Sequence, residues 1–309
     1  MNIVFMGSAD FGIPALEKLA HKHTIKGVVT TPAKPRGRGL KLAESPVFEY
    51  AKTHRLGPIL KPPRLKDPQF AEQLKNLNAE VFVVIAYRIL PREIFSIPEF
   101  GTINVHASLL PKYRGAAPIH RAIEAGEKET GVTVFRIDEG IDTGEILLQK
   151  KTAVGSKETT PELYTRLSTL GADAIEEVVE KFHTGTIQSI RQSDELESKA
   201  PKLSRSEALI DWGLTSGQIF NKIRAFKPFP GSYTIYNKKR LSVEWAEAHR
   251  ECECSGQVGE ICAVERDYFM VKCGSGCLKI LEVKPEGRKK MDAGAFVRGT
   301  KLKKGTVLG

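Results

Sequence analysis

The stretch AEVFVVIAY at residues 79–87 is apolar almost without interruption. A strand that is apolar toward both sides has to be covered on both sides, and helices flanking a parallel sheet provide that cover. The rest of the first half fits this frame. NIVFMG is a short apolar run ending at Gly7, residues 11–22 have helical spacing, and TIKGVVT forms a second strand. Helical patterns cover 46–56 and 67–78, and a further strand covers 102–106. The expected fold is a doubly wound, Rossmann-like α/β domain with ligands at the C-terminal ends of its strands.

After a helix at 115–126, GVTVFRI and GEILLQK are two β runs separated by the loop DEGIDT, and a long helix covers 161–184. Residues 185–206 are polar and weakly periodic, which reads as a linker. From residue 231 onward, short strands alternate with Gly, Asn and charged turns. A module of roughly 80 residues with that pattern suits a small β-barrel of the oligonucleotide-binding kind. The expected partition is therefore 1–184, a linker over 185–206, and a β-barrel domain over 207–309.

Composition narrows the functional classes. The chain has 309 residues, 41% of them apolar, enough for a sizeable core. It contains no apolar run of transmembrane length, and its first residues turn polar too early for a signal peptide. Five cysteines are too few and odd in number for a disulfide-stapled secreted fold, so a reducing, cytoplasmic setting is expected. Net charge is +10, and residues 200–309 hold 20 Lys/Arg against 12 Asp/Glu, which accounts for +8 of it. A basic C-terminal third on a nearly neutral body points to a polyanionic partner.

The first strand–turn–helix carries GSADFG, a GxxxxG spacing rather than the GxGxxG of dinucleotide sites, and no acidic ribose ligand follows the second strand. The chemistry points instead to INVHASLLPKYRGAAPIHRAI at 103–123. Asn104 and His106 alternate along a strand, so both side chains face the same way just before a Pro-locked turn. A carboxamide and an imidazole converging on one point suit acyl transfer, the amide stabilising an oxyanion and the imidazole donating to it or shuttling protons. The missing carboxylate is supplied by the loop holding Asp138, Glu139 and Asp142, with Asp142 in a tight IDTGE turn. No Ser or Cys stands in a nucleophile-elbow context, so direct transfer between two bound substrates is expected. His120, flanked by apolar residues within a helix, reads as a helix-surface histidine.

INVHASLLPKYRGAAPIHRAI together with GVTVFRIDEGIDTGEIL resembles the catalytic core of the folate-dependent formyltransferases. The resemblance implies 10-formyltetrahydrofolate as co-substrate and Asn104, His106 and Asp142 as the catalytic trio. It also implies a tetrahydrofolate site at Ser108, Leu109, Leu110 and Pro111, helped by Ile89, Leu90 and the 138–142 loop. PAKPRGRGLKLAESPV at 32–47 and LSRSEALIDWGLTSGQIFNKIRAFKPFPGSYT at 203–234 resemble the members that act on initiator methionyl-tRNA, which implies that tRNA as partner. The IDW…IRAF segment is shared with members that act on amino sugars and does not decide alone, and a monomer is expected. In the basic loop, Lys34, Arg36, Arg38 and Lys41 lie among Gly and Pro without apolar periodicity, suited to folding onto phosphates or unpaired bases. One departure stands out: AYRILP has Arg88 where the family commonly has glycine, in a shorter loop. ECEC and CGSGC (Cys252, Cys254, Cys273, Cys277) would make a four-thiolate zinc site if adjacent hairpins aligned them, but they are not paired C-x-x-C knuckles and the resembled family requires no metal there, so no metal is expected.

Overall fold

The computed structural model describes residues 1–36, 41–252 and 254–309. The chain forms two compact units. Unit 1 holds Met1–Pro118, Glu129–Ala153 and Tyr164–Ala200; unit 2 holds Ile119–Lys128, Val154–Leu163 and Pro201–Gly309.

In chain order, the elements begin with β1 (Asn2–Gly7), α1 (Ile13–Lys22), β2 (Thr24–Val29), β3 (Lys34–Arg36) and β4 (Lys41–Ala43). There follow α2 (Pro46–Thr53), β5 (Ile59–Leu60), α3 (Pro68–Asn76), β6 (Val81–Ile85) and α4 (Arg92–Phe95). Next come β7 (Thr102–His106), α5 (Pro118–Glu124), β8 (Glu129–Arg136), β9 (Ile146–Ala153) and α6 (Thr160–His183). The sheet of unit 1 runs β5-β2-β1-β6-β7-β8-β9. Its first five strands are parallel, and every residue of β6 is buried, as the 79–87 run requires. Val4, Met6, Phe82 and Val84 project from adjacent strands onto Phe70 and Leu74 of α3. Ser45 and Asp67 cap α2 and α3 by accepting from Phe48 N and Gln69 N, each at 3.0 Å, with Pro at the first helical turn.

From β1 the chain builds outward to β2 and β5, then returns to the other side of β1 for β6 and β7. That reversal opens a crevice beyond the C-terminal ends of β1 and β6. At the β7 edge the sheet departs from the all-parallel expectation, because β8 is antiparallel to both β7 and β9. The β8–β9 connection, residues 137–145, is too short for the crossover that a parallel pair needs.

In unit 2, α7 (Ser216–Ala225) is closed by a capping box between Thr215 and Gln218. The strands are β10 (Tyr233–Tyr236), β11 (Lys239–His249), β12 (Ile261–Val264), β13 (Phe269–Lys272), β14 (Cys277–Pro285) and β15 (Met291–Asp292). They pair antiparallel in the order β10-β11-β14-β13-β12, with β15 on β14. Register shifts around Trp245 and between Ile261 and Ala263 bend the strands and curl the sheet into a half-barrel. The last segment is not wholly β: α8 (Ala293–Thr300), capped by Asp292, seats Phe296 in the core beside Phe269 and Tyr236. Two glycines in eight residues hide its helical period.

Arg224, 3% exposed, explains the IRAF motif of α7. Its Nη1 donates to the carbonyls of Gly155 (3.2 Å) and Glu158 (2.9 Å), while Thr160 Oγ1 donates to Ala225 O at 2.6 Å. Unit 2 thus takes in two segments from far upstream. Cys273 is buried in its core, and burial pushes the thiol up to about 12.

Gly131 on β8 has no room for a side chain: a Cβ would lie 2.2 Å from Lys150 O and 2.6 Å from Leu109 Cδ2. Gly131→Ala is expected to force β9 and Leu109 outward and to destabilise the fold by about 1–3 kcal/mol, measured by urea unfolding. An unchanged midpoint would show that the two strands yield freely.

Candidate functional site

β7 presents Asn104 and His106 on one face at the parallel sheet's C-terminal edge. Asn104 is half-buried, and its carboxamide has no hydrogen-bond partner among the described residues. His106 is 6% exposed. Its Nε2 lies 2.8 Å from Tyr113 O, and because a carbonyl only accepts, Nε2 carries a proton. Its Nδ1 faces Asp142 Oδ2 at 3.5 Å. The sequence-predicted trio therefore converges. With protons on both nitrogens, the ring has an acceptor on each side.

Asp142 Oδ2 also accepts from Gly115 N at 2.9 Å. The turn carrying it is held by Gln192, whose Nε2 donates to Asp142 O (2.9 Å) and Gly144 O (2.7 Å). Gln192 Oε1 in turn accepts from Arg114 Nε (3.1 Å) and Nη2 (2.7 Å). Arg114 is 6% exposed, and its charge is met by Asp194 (3.0 Å) and Glu197 (2.8 Å). Ser198 Oγ accepts from Tyr113 N at 2.9 Å, fixing the residue whose carbonyl holds His106. Gln192, Asp194, Glu197 and Ser198 all come from the stretch that reads as a linker in the sequence. Because they bond through polar groups, they leave no hydrophobic period to detect.

Three non-glycine residues at this edge have left-handed backbones: Ala86 (φ 51), Tyr113 (φ 61) and Asp142 (φ 57). Each such residue costs roughly 1–2 kcal/mol, and each here is held by another segment's side chain. Ser8 Oγ donates to Ala86 O at 2.9 Å, Ser198 takes Tyr113 N, and Gln192 takes Asp142 O. Asp10, in the turn after β1, accepts from Tyr164 Oη of α6.

The turn after β7 is built from inside. Ser108 is fully buried and donates to Lys112 O at 2.7 Å. Thr133 Oγ1 donates to Ser108 O (2.7 Å) and accepts from Leu110 N (3.0 Å), and Gln149 Nε2 donates to Leu110 O (2.8 Å). Leu110 packs on Phe135 and Ile146, Leu109 lies against Gly131, and Pro111 O accepts from Ser198 N at 3.4 Å. Across the crevice Leu90 is buried in the core, whereas Ile89 is 78% exposed and Ile141 60% exposed. Ile89 and Ile141 are the open apolar surfaces of the two loops, which Arg92 Nη1 clasps by donating to Glu139 Oε1 at 3.0 Å.

Arg88, the departure in AYRILP, reaches away from that surface. Its Nη2 donates to Tyr87 Oη and Pro62 O, both at 2.7 Å, and Nη1 to Pro63 O at 3.3 Å. The guanidinium ties the shortened loop to the chain after β5. In the basic loop, Lys34–Arg36 and Lys41–Ala43 form a two-stranded antiparallel ladder, and Lys34 is exposed. Arg38 lies outside the described residues. His120 is half-buried rather than on the helix surface, and burial lowers its pKa.

Two family models match the chain: formyl transferase over residues 1–179 and the formyl transferase C-terminal domain over 202–301. The chain belongs to the formyl transferase family. Among relatives of this formyl transferase, the methionyl-tRNA formyltransferase of Geobacter metallireducens is 41% identical over 311 residues, covering 100% of this chain and 99% of that protein. The methionyl-tRNA formyltransferase of Caldanaerobacter subterraneus is 43% identical over 313 residues, covering both proteins completely. Among solved structures, the N-formyltransferase of Helicobacter canadensis, in complex with folinic acid and dTDP-3-aminofucose, has the same fold. It is 21% identical with a TM-score of 0.69, covering 94% of this chain and 99% of that one.

If Gln192 positions the Asp142 turn of this formyl transferase, Gln192→Met should lower kcat by about tenfold or more, as misplacement near a reacting centre does. The KM for the formyl donor should stay near its native value. Equal changes in kcat and KM, or none, would show that the turn holds itself.

Proposed function

We propose that this chain transfers the formyl group of 10-formyltetrahydrofolate to the α-amine of methionyl-initiator tRNA, yielding N-formylmethionyl-tRNA and tetrahydrofolate. One observation carries the reading: Asn104, His106 and Asp142 converge in a chain alike from end to end to relatives named for that transfer. Free α-amines titrate at about 7.7–8.0, and esterification lowers this further, so the nucleophile needs positioning and oxyanion stabilisation more than a strong base.

The amine attacks the formyl carbon, a C–N bond forms, and the carbonyl oxygen gains the negative charge. Asn104, its carboxamide unengaged, donates to that oxygen. His106 is held by the Tyr113 carbonyl, and its Nδ1 lies at ion-pair distance from Asp142 rather than in a short hydrogen bond. In the imidazolium form, in which Nδ1 carries the second proton, Nδ1 donates to the oxyanion. Asp142 receives the proton that the amine loses. Collapse of the intermediate breaks the bond to the folate nitrogen, which takes up the proton held by Asp142 and leaves as N–H.

Ser108–Pro111, Ile89 and Leu90 form the proposed folate site. Ser108, Leu110 and Leu90 contribute backbone and turn shape, since their side chains face inward, and Ile89 supplies open apolar surface. Lys34, Arg36, Arg38 and Lys41 are the proposed contacts to the tRNA acceptor end. The +8 surplus of residues 200–309 provides phosphate binding. Cations over rings, Arg240 on Tyr233 at 4.0 Å and Lys279 on Tyr268 at 4.3 Å, fit a surface that meets nucleic acid. In this reading residues 1–184 carry the chemistry, 185–206 connect and also brace the site through Gln192 and Ser198, and 207–309 bind tRNA. The enzyme works as a monomer in the cytoplasm; among the described residues no helix is long and apolar enough to cross a membrane.

Incubation with the formyl donor and methionyl-initiator tRNA, beside a dTDP-amino-sugar acceptor, tests the reading directly. Formylated tRNA is expected and formylated sugar is not; the reverse pattern sinks it. His106→Ala should reduce turnover by roughly 10²–10⁴-fold while tRNA binding stays intact.

Arg38→Ala should sharply weaken transfer to tRNA without touching folate binding, and Arg38→Lys should restore only part, because charge returns without the planar fork of donors. Removing Lys34 and Arg38 together should flatten the salt dependence of tRNA binding by about 0.7–0.9 log units per lost phosphate contact. Native transfer by Arg38→Ala would remove the loop from recognition.

A further inference from the structure

Four cysteines of unit 2 come together. Cys252 and Cys254 lie on the connection from β11 to β12, Cys262 is on β12, and Cys277 opens β14. Their four Sγ atoms all lie within 4.8 Å of one another, and Cys262 Sγ stands 3.9 Å from Cys277 Sγ. The structure links them as two bridges, Cys252–Cys277 and Cys254–Cys262. Both bridges therefore occupy one cluster rather than two separate places. Among the described residues it is the one group of three or more His, Cys, Asp or Glu with metal-ligand spacing.

The ladder explains the convergence. Cys277 pairs with His249 at the end of β11 and with Lys272 at the end of β13, so these strand ends gather at the sulfur cluster. Cys273, which the sequence placed beside ECEC, is instead buried in the core, and Cys262 takes its place. The corrected spacing is C-x-C, seven residues, C, fourteen residues, C. Two donors sit on strands and two on the connection from β11 to β12.

Zinc binds four thiolates tetrahedrally at about 2.3 Å, which places neighbouring sulfurs about 3.8 Å apart. The 3.9 Å separation of Cys262 and Cys277 already has that value. Cys262 and Cys277 are 5% and 0% exposed, while Cys252 and Cys254 are half-buried, so the cluster has a dry wall and an open side for entry. The connecting segment gives a reason for such a clamp. Apart from Cys252 and Cys254, every described residue from His249 to Val258 is exposed, so the segment has no apolar anchor of its own.

We propose that Cys252, Cys254, Cys262 and Cys277 form a tetrathiolate site for a soft divalent cation, with zinc the ion whose geometry and donor preference fit. Binding needs no oxidant: each thiol releases its proton and the four thiolates hold the ion. The ion then pins the β11–β12 connection to the ends of β12 and β14, where sulfur bridges would otherwise do so. Metal and bridges are exclusive alternatives for the same four sulfurs.

The deciding experiment titrates the reduced full-length chain with Co²⁺. A thiolate-to-cobalt charge-transfer band saturating at about one ion per chain, and displaced by Zn²⁺, is expected. Cys254→Ser, in the exposed turn, should lose the tight, saturable band, and Cys273→Ala should keep it. The protein purified without chelator should carry zinc and release five thiols on denaturation with chelator. Absence of a cobalt band from the reduced wild-type chain overturns the proposal, as does an unchanged band in Cys254→Ser. Neither readout depends on formyl transfer.

Discussion

The two hydrogen bonds from Gln192 to the carbonyls of Asp142 and Gly144 fix the turn that carries Asp142, the proposed catalytic carboxylate. Asp142 has a left-handed backbone, a conformation that a free aspartate seldom keeps. Gln192 can hold it because Arg114, buried and answered by Asp194 and Glu197, fixes the other end of the carboxamide. From there the order passes to Asp142 Oδ2, to Gly115, and to the imidazole of His106. Ser8 and Ser198 do the same for Ala86 and Tyr113. The site's precision thus rests on polar side chains gripping strained backbone, which is a common location for strain near chemistry.

This arrangement also separates rigidity from reaction. Side chains of the turn after β7 that a folate would be expected to touch, Ser108 and Leu110, are fully engaged with Lys112, Phe135 and Ile146. They shape the turn, and its surface meets the ligand. Asn104 is the contrasting case, a polar group in the crevice with no protein partner among the described residues. In the proposed reaction, a donor left unpaired beside a histidine and a carboxylate is preorganised for charge that appears only as the amine attacks.

The legibility of these features followed their physics. β6 and α6 could be read from the sequence because burial on two faces, or along one stripe, imposes apolar spacing. Asn104 and His106 could be read because a strand has period two. The antiparallel turn of the sheet at β8 needed the length of the 137–145 connection to be weighed. Residues 190–200 escaped because they attach by amide, hydroxyl and backbone groups, which have no period. The Tyr113 carbonyl escaped for a related reason, since a backbone atom leaves no mark on residue identity. Helix α8 was masked by Gly294 and Gly299, and Cys262 by its distance from the other cysteines along the chain.

Unit 2 is discontinuous, drawing in Ile119–Lys128 and Val154–Leu163 alongside Pro201–Gly309. During synthesis both early segments leave the ribosome before the residues that satisfy them exist. The carbonyls of Gly155 and Glu158 wait for Arg224, and Thr160 waits for Ala225. Domains of ordinary chains fold in turn as they emerge, but here the first unit's own sequence is interrupted by pieces of the second. The C-terminal unit therefore cannot be exchanged by a single splice: a recombinant that replaced only the chain after residue 200 would inherit two orphaned segments with the wrong partner.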